Sequence, residues 1–398
     1  MIWPTELLES LTERGSGHTP SQKYPEYWNG EIKWVSLADS SALDKRYIHD
    51  TVKRISALGL RHSSAVLHPK GTVILSRDAG VGKSAILADE MAVSQHFIAW
   101  RCNKSRLCGD YLYQWLQSEK TEFERIAAGS TVKTIGLSYF QRLRLPVPPI
   151  EAQKNIAGAL ETWDIAIQKF EQLIAAKELS MKGLTQKVFE SQSHPRLRIA
   201  DIAHRVTKKN ILGNGHPLTI SGTNGLISQS RYFGKRIAAE NTEHYTLLKR
   251  GEFAYNKSYS NGYPLGAIKR LDLYDEGIVS TLYLCFALNE KDAQLSDYFV
   301  YFCESGGFNH QIYKIAQEGA RNHGLLNVTA AGFFSMSMPV PSKEEQLRAV
   351  AILDTAGQEL ALLRSQLTAL RTQKRGLMPK LLSGQWRLPM SAVKLGTV

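Results

Sequence analysis

Cysteine is scarce in this chain of 398 residues, and long apolar stretches are missing. The four cysteines (Cys102, Cys108, Cys285 and Cys303) form no Cys-x-x-Cys pair and have no histidine cluster beside them, so neither a zinc site nor a disulfide framework is indicated. No run of about 18 apolar residues could span a bilayer. The first residues also lack the basic and apolar regions of a secretory signal. We therefore expect a soluble, cytoplasmic protein.

Recognisable catalytic motifs are missing as well. Residues 80–84, Gly-Val-Gly-Lys-Ser, resemble the end of a nucleotide-binding loop, but Arg77 stands where that motif needs its first glycine. We find no Asn-Pro-Pro-Tyr type core for amino-methyl transfer, and no Ser/His/Asp or Cys/His signature of known spacing. We therefore predict a binding protein that has no catalytic residues, no metal site and no cofactor of its own, and whose chemistry belongs to a partner.

The charge of the chain favours a polyanionic partner. It carries 49 Lys and Arg against 37 Asp and Glu, a net charge of +12. Residues 1–145 and 193–338 each have a net charge of +4 (19 against 15, and 16 against 12), whereas residues 146–192 have −1 (5 against 6). An excess of basic residues spread over folded domains most often serves nucleic acid binding.

A long internal repeat organises the chain. Residues 146–192 align with residues 339–385 without a gap, and 12 of these 47 positions are identical. Each copy opens with Pro-Val-Pro, and Gln153 recurs as Gln346, 193 residues later. This distance is too long for a solenoid repeat. The sequence therefore predicts a duplicated unit, in which a globular segment is followed by a helix.

Each copy is predicted to form a helix of about 40 residues, because its apolar residues recur at alternating spacings of three and four. The predicted seam consists of Leu160, Trp163, Ile167, Phe170, Ile174, Leu184, Leu353, Leu360, Leu363, Leu367, Leu370 and Leu377. Lys177 and Lys374 interrupt it, either to fix the alignment of two helices or simply by extending their charged ends to solvent. An antiparallel pair within the chain is the simplest arrangement, and a coiled coil that only dimerises the protein is the alternative.

The predicted fold class is α+β, or mixed α/β, with two globular domains and a pair of long antiparallel coiled-coil helices related by the internal repeat. Short apolar runs bounded by turns predict strands mixed with a few helices in the globular parts. The predicted domains are residues 1–145, a first spacer helix in 146–192, a second globular domain in 193–338, a second spacer helix in 339–385 and a tail in 386–398. Weak matches, such as Ala85-Ile86 with Ala267-Ile268, support a common origin of the two domains.

Polar and aromatic loops in both domains supply candidate DNA contacts. Arg and Lys pair with guanine edges, Asn and Gln pair with adenine edges, and Lys, Ser and Thr also bind phosphates. The candidates are Gln22, Lys23, Tyr24, Tyr27, Arg77, Lys83, Ser84, Thr131, Lys133, Lys208, Lys209, Asn210, Thr223, Asn224, Arg231, Tyr232, Asn256, Lys257, Tyr259, Arg321, Asn322 and His323. For any one of them, a solvated surface role is the alternative, and the prediction rests on the loops as sets.

The ordered set of these motifs resembles the specificity subunit of type I restriction–modification systems. Residues 17–36 are similar to the opening of a target recognition domain in that family, and residues 220–225 are similar to a common stretch of the second such domain. Residues 146–153 and 339–346 resemble the proline–glutamine starts of its two spacer helices. The likeness extends over essentially the whole chain.

This resemblance implies a function. Each target recognition domain would read one half of a bipartite sequence in double-stranded DNA, and the helices would set the gap between the halves. Two modification (methyltransferase) subunits would carry S-adenosylmethionine and methylate adenine, while restriction subunits (an ATP-dependent translocase and nuclease) would use ATP and Mg. A non-enzymatic coiled-coil regulator or scaffold with two DNA-binding domains remains the alternative.

Overall fold

A computed structural model describes residues 3–127, 133–189, 194–222, 224–235, 237–239, 241–258, 262–289, 292, 295–316 and 326–388. The chain divides into two compact units. The first unit is Met1–Gln172 with Ser365–Val398, and the second unit is Leu173–Arg364. Each unit therefore contains one globular segment together with part of both long helices.

The described residues of the first unit form three sheets and four short helices. Its strands are β1 (Thr5–Leu7), β2 (Thr12–Ser16), β3 (Trp28–Val35), β4 (Tyr47–Ile48), β5 (Lys53–Ile55), β6 (Leu67–His68), β7 (Val73–Ser76), β8 (Ser84–Leu87), β9 (Met91–Val93), β10 (Phe97–Cys102) and β11 (Arg144–Pro146). Its short helices are α1 (Ala57–Arg61), α2 (Gly109–Ser118), α3 (Lys120–Ile126) and α4 (Leu137–Gln141), with 3-10 turns at Leu8–Ser10, Pro25–Tyr27 and Leu37–Asp39. The sheet orders are β2-β10-β7-β8-β4, β5-β3-β9-β6 and β1-β11.

The five-stranded sheet of the first unit lies between two hydrophobic cores. Val73 and Leu75 of β7 belong to one core, together with residues of α2, whereas Ile74 belongs to the other. Successive side chains of a strand point to opposite faces, so a strand covered on both faces needs an unbroken apolar run. This requirement explains the Val-Ile-Leu sequence of β7.

In the second unit, four sheets and five short helices lie within the described ranges. Its strands are β12 (Arg196–Arg198), β13 (Ala203–Arg205), β14 (Leu218–Ser221), β15 (Gly225–Ser228), β16 (Thr246–Lys249), β17 (Phe253–Asn256), β18 (Ala267–Arg270), β19 (Glu276–Val279), β20 (Leu284–Leu288) and β21 (Ser337–Pro339). Its short helices are α6 (Ile199–Ile202), α7 (Gln229–Phe233), α8 (Ser296–Glu304), α9 (Asn309–Ala316) and α10 (Ala330–Ser335). The sheet orders are β13-β20-β17-β18, β14-β15, β16-β19 and β12-β21.

The two units share a structural frame. The order β2-β10-β7-β8 corresponds to β13-β20-β17-β18, and the pair β1-β11 corresponds to β12-β21. The turn before β7 places Gly71 at φ +87°, and the turn before β17 places Gly251 at φ +86°. In each turn the glycine N–H donates a 2.9 Å hydrogen bond, to Leu87 in one case and to Leu271 in the other. The weak matches between the two domain sequences therefore fall on equivalent turns and strands.

Two long helices, α5 (Ile150–Phe189) and α11 (Lys343–Ser383), follow the two globular segments. Every predicted seam residue is buried or half-buried, which is the pattern expected when two apolar stripes pack together. Among the described helices, none combines the length and the apolar character that a bilayer crossing requires.

Ion pairs between α5 and α11 show that the two helices run antiparallel within one chain. In the first unit, Glu171 pairs with Arg371 at 2.5 Å. In the second unit, Glu178 pairs with Arg364 at 2.5 Å. Within the first unit Asp164 also pairs with Lys374, so the partner's number falls as the position along α5 rises, and the predicted antiparallel arrangement is confirmed. The sheets and helices of both units confirm the mixed fold class.

The two seam lysines also pair with carboxylates of the opposite helix. Lys177 contacts Glu359 at 2.7 Å, and Lys374 binds Asp164. Asp164 accepts a further 2.9 Å hydrogen bond from the amide of Gln114 on α2. Of the two interpretations left open by the sequence, these pairs favour the one in which the lysines fix the alignment of the helices.

Candidate nucleic-acid interface

An exposed aromatic stack follows strand β2 in the first unit. The side chains of Gln22, Lys23 and Tyr24 are all exposed. The ring of Tyr24 lies 4.9 Å from that of Tyr27, which in turn stacks on His62 at 5.7 Å. Aromatic faces beside a lysine are suited to contacts with bases and phosphates. A DNA contact at this loop remains a prediction.

The loop between β7 and β8 is held by polar contacts at both ends. Asp78 accepts hydrogen bonds from Thr134 and from His96, the latter at 2.9 Å. Burial acts to raise the pKa of Asp78, but these two bonds and the charge of Arg77 hold it below its ordinary value. The half-buried Arg77 lies 3.5 Å from this carboxylate. Arg77 is therefore anchored beside a charged partner and is only partly available to a ligand.

Two other candidates near this loop have roles inside the protein. The Lys83 amine donates to the backbone and the hydroxyl of Ser40, at 3.1 and 2.8 Å, and so ties the loop to a neighbouring turn. Ser84 is fully buried in β8, where its hydroxyl accepts a hydrogen bond from Gln117. The prediction of a direct DNA contact was therefore wrong for Ser84, because a serine at the start of a loop in sequence is here part of a buried strand.

In the second unit, Lys208 and Lys209 are exposed, and the Lys209 amine donates a 2.9 Å hydrogen bond to the carbonyl of His244. Asn210 is buried. Its side-chain amide donates a hydrogen bond to the backbone carbonyl of Asn214 and accepts one from the backbone N–H of Asn214. The prediction that Asn210 reads a base was also wrong, because its amide groups are used to fold the loop.

The remaining candidates are scattered over loops of both units. Lys133, Asn224, Arg231 and Tyr232 are exposed, while Asn256 and Lys257 are half-buried. The candidates Thr131, Thr223, Tyr259, Arg321, Asn322 and His323 lie outside the described residues. For the exposed candidates, a DNA contact remains a prediction.

A buried charged network that the sequence did not reveal holds the loop after β14. Lys269 is 7% exposed, and its amine donates to the carbonyl of Gly222 at 2.8 Å and to Glu304 at 2.6 Å. Tyr263 also donates to Glu304, and burial together with this bond raises the pKa of Tyr263. The partners of Lys269 are distant in sequence, so no local pattern could have indicated this network.

The described residues contain no group of three or more His, Cys, Asp or Glu side chains that could hold a metal ion. Burial raises the pKa of Cys102 and of Cys285 to about 12, so both thiols stay protonated at neutral pH. A protonated, buried thiol is a poor nucleophile.

Residues 3–178 match the family described as the type I restriction modification DNA specificity domain. The specificity subunit of the type I restriction enzyme MjaIX from Methanocaldococcus jannaschii is 30% identical over 169 residues, which are 42% of this chain and 39% of that protein. The EcoprrI specificity subunit from Escherichia coli is 24% identical over 173 residues, or 42% of each chain. The matches thus span about two fifths of these relatives.

Solved structures share the fold over nearly the whole chain. The S subunit of a type I restriction–modification system from M. genitalium has a TM-score of 0.54 at 15% identity, covering 96% of both chains. The HsdS subunit from Thermoanaerobacter tengcongensis has a TM-score of 0.51 at 15% identity, covering 96% of this chain and 97% of that one. Residues 3–178 thus match the type I restriction modification DNA specificity domain, and the chain shares the fold of these two specificity subunits.

Proposed function

We propose that this chain is the DNA-recognition subunit of a type I restriction–modification complex, and that each globular domain reads one half of a bipartite target. The match of residues 3–178 to the specificity-domain family carries this proposal. The net charge of +12 and the exposed basic and aromatic loops support it, because phosphate contacts supply much of the affinity of any DNA-binding protein. The strand order that the two units share supports two DNA-recognition domains of the same architecture.

In this proposal, the paired helices α5 and α11 set the number of base pairs between the two half-sites. A helix of 40 residues is about 60 Å long at 1.5 Å per residue. Two sites that face the same side of a DNA duplex lie about 34–36 Å apart for each helical turn. The length of the helix pair is therefore comparable with the distance between two half-sites that lie one to two helical turns apart on DNA.

The chemistry is assigned to partner subunits. Modification subunits would bring S-adenosylmethionine and methylate adenine, and restriction subunits would bring ATP-dependent translocation, with Mg, and cleavage. This chain would contribute no catalytic group, and it would act on DNA in the cytoplasm. Because a base inside a duplex cannot be reached by a methyltransferase, the modification subunit would also flip the target adenine out of the stack.

Sequencing the methylated genome of cells that carry this chain with its modification subunits tests the proposal. The expected result is one adenine-methylated motif made of two short half-sites and a fixed gap. Substituting residues 1–145 with the corresponding domain of another specificity subunit should change one half-site and keep the other. Methylation without a two-part motif, or a motif unchanged by the substitution, would contradict the proposal.

Co-purification separates this function from that of a two-domain DNA-binding regulator. A specificity subunit should retain a modification subunit through affinity purification and gel filtration. A regulator should bind a specific DNA site alone, with the same affinity whether or not a methyltransferase is added.

A further inference from the structure

A loop of the second unit carries two aliphatic side chains that are exposed to solvent. Ile211 and Leu212, which follow strand β13, are 81% and 90% exposed, more than any other large apolar side chain in the part of the chain that the structure describes. A single exposed leucine is ordinary on a protein surface. Two adjacent ones at the tip of a loop indicate a surface that is covered in a complex.

The loop that carries them is internally fixed. The buried amide of Asn210 donates to the carbonyl of Asn214 at 3.0 Å and accepts from its N–H at 2.7 Å. The backbone N–H of Asn210 also donates to the carbonyl of Tyr245 at 3.1 Å, and that of Leu247 donates to Lys208 at 2.8 Å. Ile211 and Leu212 are therefore held out to solvent by an ordered turn, which lowers the entropic cost of binding through them.

The charges around the tip favour DNA as the partner that covers it. Lys208 and Lys209 directly precede the two aliphatic residues, and both are exposed. The carboxylate of Glu276 is engaged by the side-chain amide of Asn214 at 2.8 Å. This arrangement is complementary to a DNA groove. The lysines can contact the phosphates along the edge of the groove while the apolar side chains contact base surfaces inside it.

The first unit has a similar loop at the same place in its fold. Strand β2 lies at the edge of its sheet next to β10, as β13 lies next to β20. The loop after β2 exposes Lys23 beside Tyr24, whose side chain is 48% exposed. In both units, the loop after the equivalent edge strand thus presents a lysine close to an exposed apolar or aromatic side chain. The side chains differ, as two readers of unlike half-sites require.

We propose that Ile211 and Leu212 enter a groove of the DNA and contact the bases of the half-site read by the second unit, so that they help to determine its sequence. This inference rests on the proposed function. Aliphatic side chains recognise bases through the thymine methyl group or by wedging into a base step, and neither contact involves a hydrogen bond. A search for polar residues in the sequence could not have found them.

The double variant I211S/L212S of the full chain, in complex with its modification subunits, tests this role. We expect about a tenfold loss of affinity for the cognate DNA, which is typical of one lost base contact. The methylated motif should relax in one half-site only, with the other half-site and the gap unchanged. The dependence of binding on salt should stay the same, because no charge is removed.

Two further variants serve as controls. K208A/K209A should reduce the slope of log affinity against log salt by up to about two, without relaxing the motif. L273S removes a leucine that is 54% exposed at another turn of the same unit, and it should leave both affinity and motif unchanged. Thermal unfolding should be the same for all variants, since the replaced side chains are exposed.

Three results would overturn the inference. One is wild-type affinity and motif in I211S/L212S, and another is an equal relaxation in L273S. The third is a loss of the modification subunit from I211S/L212S, which would make the tip a protein-docking site. If the wild-type complex methylates no bipartite motif, the proposed function itself fails, and that result does not depend on this loop.

Discussion

The side-chain amide of Gln153 donates a 2.9 Å hydrogen bond to the carbonyl oxygen of Pro148, five residues earlier. Gln346 makes the same bond to Pro341 at 2.8 Å, and both glutamines are buried. Each bond ties the Pro-Val-Pro turn to the first turn of a long helix and gives the carbonyl of a buried proline a hydrogen-bond partner. The glutamine that recurs in the sequence therefore has the same structural role at the start of both long helices.

Removing these glutamines should destabilise the protein unequally. Gln153 also donates to the carbonyl of Arg106 at 2.9 Å and accepts from the N–H of Cys108 at 2.8 Å, so Q153A leaves three backbone groups unpaired. We expect a loss of about 2–3 kcal/mol for Q153A and about 1 kcal/mol for Q346A in the free energy of unfolding, measured with urea. The neighbouring exposed variant K154A should have little effect. Equal losses for Q153A and Q346A would show that the extra bonds contribute nothing.

Reversing the charges of one helix should weaken the helix pair, and reversing both should restore it. In the internal repeat, Glu171 of the first copy corresponds to Arg364 of the second, and Glu178 corresponds to Arg371. The ion pairs Glu171–Arg371 and Glu178–Arg364 are therefore related by the repeat, with the acidic and basic residues exchanged. We expect E171R/E178R to cost about 1 kcal/mol, since exposed pairs contribute little each. Adding R364E/R371E should recover most of it in thermal unfolding. No recovery would mean that the charges do not interact.

Lengthening both helices together should change the gap in the recognised DNA. Insertion of seven residues between Gln172 and Leu173, and of seven more between Arg364 and Ser365, keeps the heptad seam in register. Seven residues add about 10 Å of helix, so the gap should lengthen by up to about 3 base pairs while both half-sites stay the same. Sequencing of methylated genomes measures this directly. An unchanged gap in a folded, active variant would contradict the role of the helices as a spacer.

Acid should destabilise the first unit through His68. This histidine is fully buried, its ring lies 3.2 Å from the carbonyl of Ser16, and burial lowers its pKa. Below about pH 6.5 the unfolded chain therefore binds a proton that the folded chain does not, so stability should fall as the pH drops below about 6.5. H68Q should show a weaker fall in urea unfolding below this pH. The same fall in both proteins would assign the effect to other groups.

The helix pair could be predicted from the sequence alone. A heptad pattern is local, and two copies in one register leave few ways to bury both stripes, so the sequence leads to an antiparallel helix pair whose predicted seam residues are buried or half-buried. The mixed fold class also followed from local patterns of apolar runs and turns. The order β2-β10-β7-β8 did not follow, because strand pairing joins residues that are far apart in the chain.

The role of each polar side chain was decided only by the tertiary structure. Ser84 and Asn210 are polar residues in loop-like sequence, yet both are buried and bonded within the protein. Lys269 is charged, yet its amine is enclosed by groups 47 and 35 residues away. Ile211 and Leu212 are apolar, yet they are exposed. Whether a side chain faces solvent depends on which distant segments pack over it, and this information is absent from the residue and its neighbours in sequence.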